Sequence, residues 1–199
     1  MLLAEQLVGE ARERRRKRMS RLERIVNAGS AAVFVAVVVA IALLLPNERS
    51  ADPLLVLGLI AGYALVSRVR FEFGSTYVTP EQLAFIPTLL LLPLPLVPVV
   101  VVVAALLGQL PDFVRGTWHH DRWVSAFADS WFCIGPVLVL EWLAPGVPTI
   151  GAIGAYAAAF GAQIAVDLAW ATLRGRILDS LPFADRFPFR ELWRDYAGV

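Results

Sequence analysis

Residues 25–46 read IVNAGSAAVFVAVVVAIALLLP. From Ile25 to Leu45 there is no charged side chain. At 1.5 Å per residue a helix of that length covers about 31 Å, the thickness of a bilayer's hydrocarbon core. Pro46 closes the run because it has no N–H for the next helical hydrogen bond. A stretch of this length and apolarity is a membrane span, so the bilayer is the solvent in which the rest of the chain must be read.

Outward from that span the pattern repeats. A second apolar run covers Leu54–Ser67 and is closed by Arg68 and Arg70. A third starts near Gln82 and reaches Leu92, where Pro93, Pro95 and Pro98 interrupt it. Val99–Leu110 forms a fourth, Val124–Leu143 a fifth and Ile150–Leu173 a sixth. The 199 residues are 58% hydrophobic and 18% charged, with a mean hydropathy of +0.64. Soluble domains carry roughly 25% charged residues. The expected fold is therefore an all-α, polytopic transmembrane helical bundle of about six spans. It divides into a basic N-terminal helix (1–24), the bundle (25–173) and a charged coupling segment (174–199). Runs three and four are the least regular pair. They read either as two short spans or as a re-entrant hairpin, the latter needing protein or a watery cavity around its irregular backbone.

Charge placement sets the orientation. With alternate loops on opposite sides, 17 of the 18 Lys and Arg residues fall on one side and Arg49 alone on the other. The positive-inside rule makes the rich side the cytoplasm, so the N-terminus is expected to be cytoplasmic and the protein multi-pass in the cell membrane. The basic cluster ARERRRKRMSRLER at 11–24 reads first as the topological anchor of that arrangement. Binding of anionic lipid is its second use, at roughly 1 kcal/mol per basic residue near the surface. The single cysteine, Cys133, precludes an internal disulfide, and no secretory signal peptide is evident in the charged first 24 residues.

Inside the spans, small residues recur at four-residue spacing: Ala28, Ala32, Ala36 and Ala40 in the first, Gly58 and Gly62 in the second. Such faces let helices approach closely. Packing inside this bundle is the favoured use, ahead of docking to a partner. The intramembrane polar residues carry more weight. Asp129 lies seven residues after Arg122 and Asp167 seven residues before Arg174, which puts both about 10 Å below the cytoplasmic boundary if the helices are straight. Gln163 is one turn from Asp167 and shares its face. A carboxylate at mid-bilayer costs about 2.5–3.5 kcal/mol on insertion scales, so these groups are expected to face the interior. Asp129, Gln163 and Asp167 are the candidate ligand or polar-core site. The competing use is a structural network with Arg68, Arg70 or Gln109.

Chemistry beyond that is not indicated. His119-His120-Asp121 lacks the three or four ligands from separate segments that a metal site needs. Instead it sits among Trp118 and Trp123, as interfacial residues do. No P-loop, GxGxxG, CxxC or HExxH is present, so no catalysis, cofactor or metal is expected, and nothing apart from the N-terminal basic run suggests nucleic acid.

FEFGSTYVTPEQLAFIP at 71–87, LGQLPDFVRG at 107–116 and ADSWFCIGP at 128–136 together resemble the N-terminal membrane module of actinobacterial cyclic-di-GMP signalling proteins. The resemblance covers roughly residues 65–175. In those proteins the module precedes an HD-GYP or GGDEF output domain, which this chain does not contain. The resemblance implies a non-catalytic sensory or anchoring module that addresses a cytoplasmic output domain, in cis or on a partner protein, with a homodimer possible. It supplies no site residues. Ala197-Gly198-Val199 reads as the start of another helix, so the chain is expected to be incomplete after 199. A second expectation, from the six spans and the small-residue face of the first, is a substrate-binding membrane component resembling those of vitamin-type transporters.

Overall fold

The structure is a computed structural model that describes residues 17–46, 49–69, 71–73, 76–78, 80–144, 146 and 148–178. The basic residues before Lys17, Arg70 and the segment after Leu178 lie outside the described residues. Helices dominate: α1 (Arg21–Leu44), α2 (Pro53–Val66), α3 (Gln82–Leu91), α4 (Val97–Val114), α5 (Ser125–Ala128), α6 (Ile134–Leu143) and α7 (Ile153–Leu178). Between α2 and α3 lies one short antiparallel ladder, β1 (Phe71–Phe73) with β2 (Thr76–Val78), in the register Phe71 opposite Val78.

Four helical stretches are long and apolar enough to cross a membrane: Arg21–Leu44, Leu94–Val114, His120–Leu143 and Ile150–Leu178. The second and third runs are shorter than a span. α2 has 14 residues, about 21 Å, and α3 has 10, about 15 Å. Their ends have local causes. The Asp52 carboxylate caps α2 by accepting from the Leu54 amide at 2.9 Å, and Ser67 Oγ donates back to the Ala64 carbonyl at 3.0 Å where α2 stops. α3 stops because Pro93 forces Leu92 into an extended conformation (φ −99°, ψ 159°).

Arg49 secures that stop. Its Nη1 donates to the carbonyls of Leu89, Leu90 and Leu92 at 3.1–3.3 Å, and its Nε to Gly146 at 3.0 Å. These are carbonyls that a helix end or a loop leaves without partners. One guanidinium thus joins the α1–α2 loop, the end of α3 and the α6–α7 loop. The turn after α3 therefore sits at the Arg49 end of the bundle, opposite the end that carries Arg24, Arg68 and Arg115.

The fifth run is not one straight helix. It comprises a 3-10 turn (His120–Val124), α5, the turn Asp129-Ser130, a second 3-10 turn (Trp131–Cys133) and α6. Two residues cause the break. Pro136 cannot donate to the carbonyl four residues back, and its ring crowds that carbonyl. Ser130 Oγ instead satisfies the Ala126 carbonyl at 2.6 Å, a back-bond that bends helices.

The core gathers Phe34, Tyr63, Phe85, Leu92, Val97, Val100, Val137 and Leu140, all at most 1% exposed. Phe85 meets Phe132 edge to face at 5.1 Å, and Phe34 meets Trp131 at 5.5 Å. α1 turns Asn27, Ser30, Phe34 and Ile41 inward. Ala28, Ala32, Ala36 and Ala40 lie on its exposed face, and a Cβ at Gly58 or Gly62 would meet nothing within 4 Å. The expectation that these small residues pack inside the bundle is therefore corrected. The close approaches occur at other glycines. Gly108 of α4 lies against Ser67 and the Ala64 carbonyl of α2, and Gly135 of α6 lies against the Ala162 carbonyl of α7. α7 is an outer helix. Only 6% of an 18-residue window of it is buried, against 50% for the His120–Leu143 stretch.

Candidate functional site

A cavity of about 370 Å³ lies at the basic end of the bundle. Its walls come from the end of α2 (Tyr63, Ser67, Arg68), the start of α3 (Glu81), the last turns of α4 (Gly108, Gln109, Asp112) and the break at Asp129-Ser130, with Trp118 and Phe132 as aromatic walls. Each polar group sits where a helix starts, stops or breaks, because backbone irregularity is tolerated at membrane depth only where protein or a cavity receives it.

The donors on these walls are largely committed to nearby acceptors. Tyr63 donates its hydroxyl to Glu81 Oε2 at 3.5 Å, Ser67 to Ala64 and Ser130 to Ala126. Arg68 Nη1 donates to the Gly108 carbonyl at 3.3 Å. The acceptors are in surplus. Gln109 Oε1 is shut off from solvent without a hydrogen-bond partner, and the carboxylates of Glu81, Asp112 and Asp129 face a single lining guanidinium, Arg68. Asp112 Oδ1 accepts from Thr117 Oγ1 at 3.2 Å.

Asp129 is bound from outside the cavity. Arg174 Nη1, on the last turns of α7, donates to Asp129 Oδ1 at 2.6 Å. Their side chains are 53% and 29% exposed respectively, so the pair lies at an accessible edge. Arg174, not Arg68, Arg70 or Gln109, is the ionic partner of Asp129.

The three residues singled out from sequence are not brought together. Asp129 lines the cavity. Gln163 is buried on the Ala155–Ala159–Gln163 stripe of α7, away from it. Asp167, one turn on, is exposed and makes no hydrogen bond or ion pair with a described residue. Equal depth and a shared face do not make a common site here, because the break at 129–130 displaces Asp129 and α7 covers its stripe on one side only. Tyr63, Glu81, Asp112 and Ser130 were missed. Their only sequence signal was polarity at the ends of apolar runs.

A second polar cluster anchors the start of α1. Asp121 Oδ2 accepts from the Met19 amide at 3.0 Å and lies 3.8 Å from Arg24 and 4.0 Å from Arg18. His119 Nδ1 stands 2.7 Å from the other oxygen. Ser20 and Glu23 then complete a reciprocal cap on α1. Among the described residues no group of three or more His, Cys, Asp or Glu is placed to hold a metal ion. Compared with known proteins, the chain matches no family model, no curated protein and no solved structure.

Proposed function

We propose that this chain is the membrane-embedded sensory and anchoring module of a bacterial signal-transduction protein, non-catalytic itself, crossing the cell membrane six times with a cytoplasmic N-terminus. In this reading the tail after Arg174 addresses a cytoplasmic output domain of the HD-GYP or GGDEF type, in cis or on a partner. The observation that carries it is the Asp129–Arg174 pair. One partner lines the polar cavity and the other sits on the helix that leads into the tail, so occupancy of the cavity and the position of the exit helix share one contact. Asp129 also sits at a helix break, where two backbone arrangements differ by less than in a continuous helix. A cavity ligand that binds better when the pair is open shifts the helix by its differential affinity.

The test is made in the source organism. Asp129→Asn and Arg174→Gln are introduced separately at the native locus and cellular cyclic-di-GMP is measured. Both variants are expected to move the nucleotide level in the same direction, and Asp52→Asn, at the opposite end of the bundle, is expected to leave it unchanged. Unchanged levels with normal amounts of variant protein in the membrane count against the reading.

The outward alanine face of α1 favours a second reading, a substrate-binding membrane component of a small-molecule transporter, whose partner helix would dock on Ala28, Ala32, Ala36 and Ala40. Retention of a vitamin-sized molecule through purification, together with uptake activity that Ala32→Leu and Ala36→Leu abolish, supports it over the first.

A further inference from the structure

We infer that the cavity's ligand is a small organic cation, an alkylammonium or guanidinium group, that competes with Arg174 for Asp129. The inference rests on the sensory reading of this cavity and deepens it. A volume of about 370 Å³ falls within the range of small-molecule sites, roughly 300–1,000 Å³, and the question is which chemistry its walls leave unsatisfied.

The hydrogen-bond inventory answers it. The three lining hydroxyls donate to Glu81 or to backbone carbonyls within the protein, and Arg68 donates to Gly108. The surplus consists of acceptors, three carboxylates and the buried, unpartnered Oε1 of Gln109. A buried acceptor without a donor is costly, and an anionic ligand would add acceptors to a site that already has too many. A ligand rich in N–H donors supplies what is missing. Trp118 and Phe132 on the same walls add ring faces that attract cations. The protein's own solution to the surplus is cationic too: Arg174 reaches Asp129 from the edge of the cavity. A ligand cation seated against Asp129 takes over that contact and frees Arg174, which gives the signalling reading a chemical trigger. The exchange is reciprocal by linkage, so a chain without the arginine must bind the cation more tightly.

The full chain in nanodiscs of zwitterionic lipid is titrated calorimetrically with butylammonium, and with butyrate and 1-butanol as anionic and neutral probes of similar shape. Butylammonium is expected to bind while the other two do not. Arg174→Gln is expected to tighten its binding and Glu81→Gln to weaken it, each by about tenfold. Glu81→Gln stands on the wall away from Arg174, so the case does not depend on Asp129 variants folding. Binding of butyrate in place of butylammonium, or of all three probes equally, overturns the cation assignment, as does binding of none. A spin-label distance between α7 and α4 is followed in parallel. A change in that distance on Arg174→Gln without any cation binding removes the ligand class and leaves the sensory reading intact. Cation binding with no change in the distance supports the ligand class and removes the coupling.

Discussion

Replacing Gly135 by alanine tests the packing on which the cavity depends. An alanine Cβ at this position would stand 2.8 Å from the Ala162 carbonyl oxygen, 3.0 Å from its carbon and 3.1 Å from Val166 Cγ2. Non-bonded carbons settle at roughly 3.5–4.0 Å, so α6 and α7 must separate by about half an ångström or more. Two of the three atoms are backbone, which no rotamer change can move. Overpacking of this kind costs roughly 1–3 kcal/mol. Alanine is a better helix former than glycine by up to about 1 kcal/mol, which opposes the loss. Gly161→Ala on α7 separates the two terms, because its Cβ meets nothing within 4 Å and it collects only the helix-forming gain. Unfolding in mixed micelles, followed by tryptophan fluorescence, is expected to place Gly135→Ala below Gly161→Ala by about 1–3 kcal/mol. Equal stability of the two variants would show that α6 and α7 do not approach as closely as described, and the Asp129–Arg174 geometry would lose its support.

Three further outcomes are expected. Arg49→Met strands four carbonyls and should destabilise the chain by about 2 kcal/mol or more, with Arg49→Lys recovering only part because an ammonium lacks the planar fork; the same unfolding assay measures both. Ser30→Ala leaves Trp131 Nε1 without the acceptor it reaches at 2.8 Å, a loss of about 1–3 kcal/mol in that assay that Ser30→Thr should largely avoid. Because Cys133 is buried, single cysteines at Pro95, Ser50 and Arg115 can be labelled selectively in intact cells; Pro95→Cys is expected to label from the same side as Ser50→Cys and from the side opposite Arg115→Cys, and the reverse pattern refutes the placement of the α3–α4 turn.

The sequence was most legible where one property sufficed. A charge-free run of membrane thickness identifies α1 without knowledge of its neighbours. Depth arithmetic failed where it assumed straight helices. Pro136 was visible in the fifth run, but only the structure shows that it acts with Ser130 to break the helix and deliver Asp129 to Arg174. A 3-10 stretch rises about 2.0 Å per residue in place of 1.5 Å, so positions counted along it drift. Arg49 looked like a lone charge in a polar turn. Its role depends on bringing Leu89–Leu92 and Gly146 to one point, which no local pattern encodes.

Helix faces were misread for a different reason. In water the buried face is the apolar one, but in a bilayer both faces of a span are apolar and the period of hydrophobicity says little about which turns inward. Polarity is the better guide: Asn27, Ser30, Thr88, Ser125, Ser130 and Gln163 are all buried. Asp167 breaks that rule, exposed on the least covered helix of the bundle. A carboxylate there costs up to about 3 kcal/mol in lipid unless something meets it, and the proposed sensory module supplies a candidate, a helix of the output protein or of a second copy that offers a donor to this flank. Asp167→Leu decides the matter. With no partner the substitution should raise the yield of membrane-inserted chain and change nothing else. With a partner it should raise the stability of the isolated chain while abolishing its crosslinking to that partner in native membranes, and unchanged crosslinking would refute an interface at Asp167.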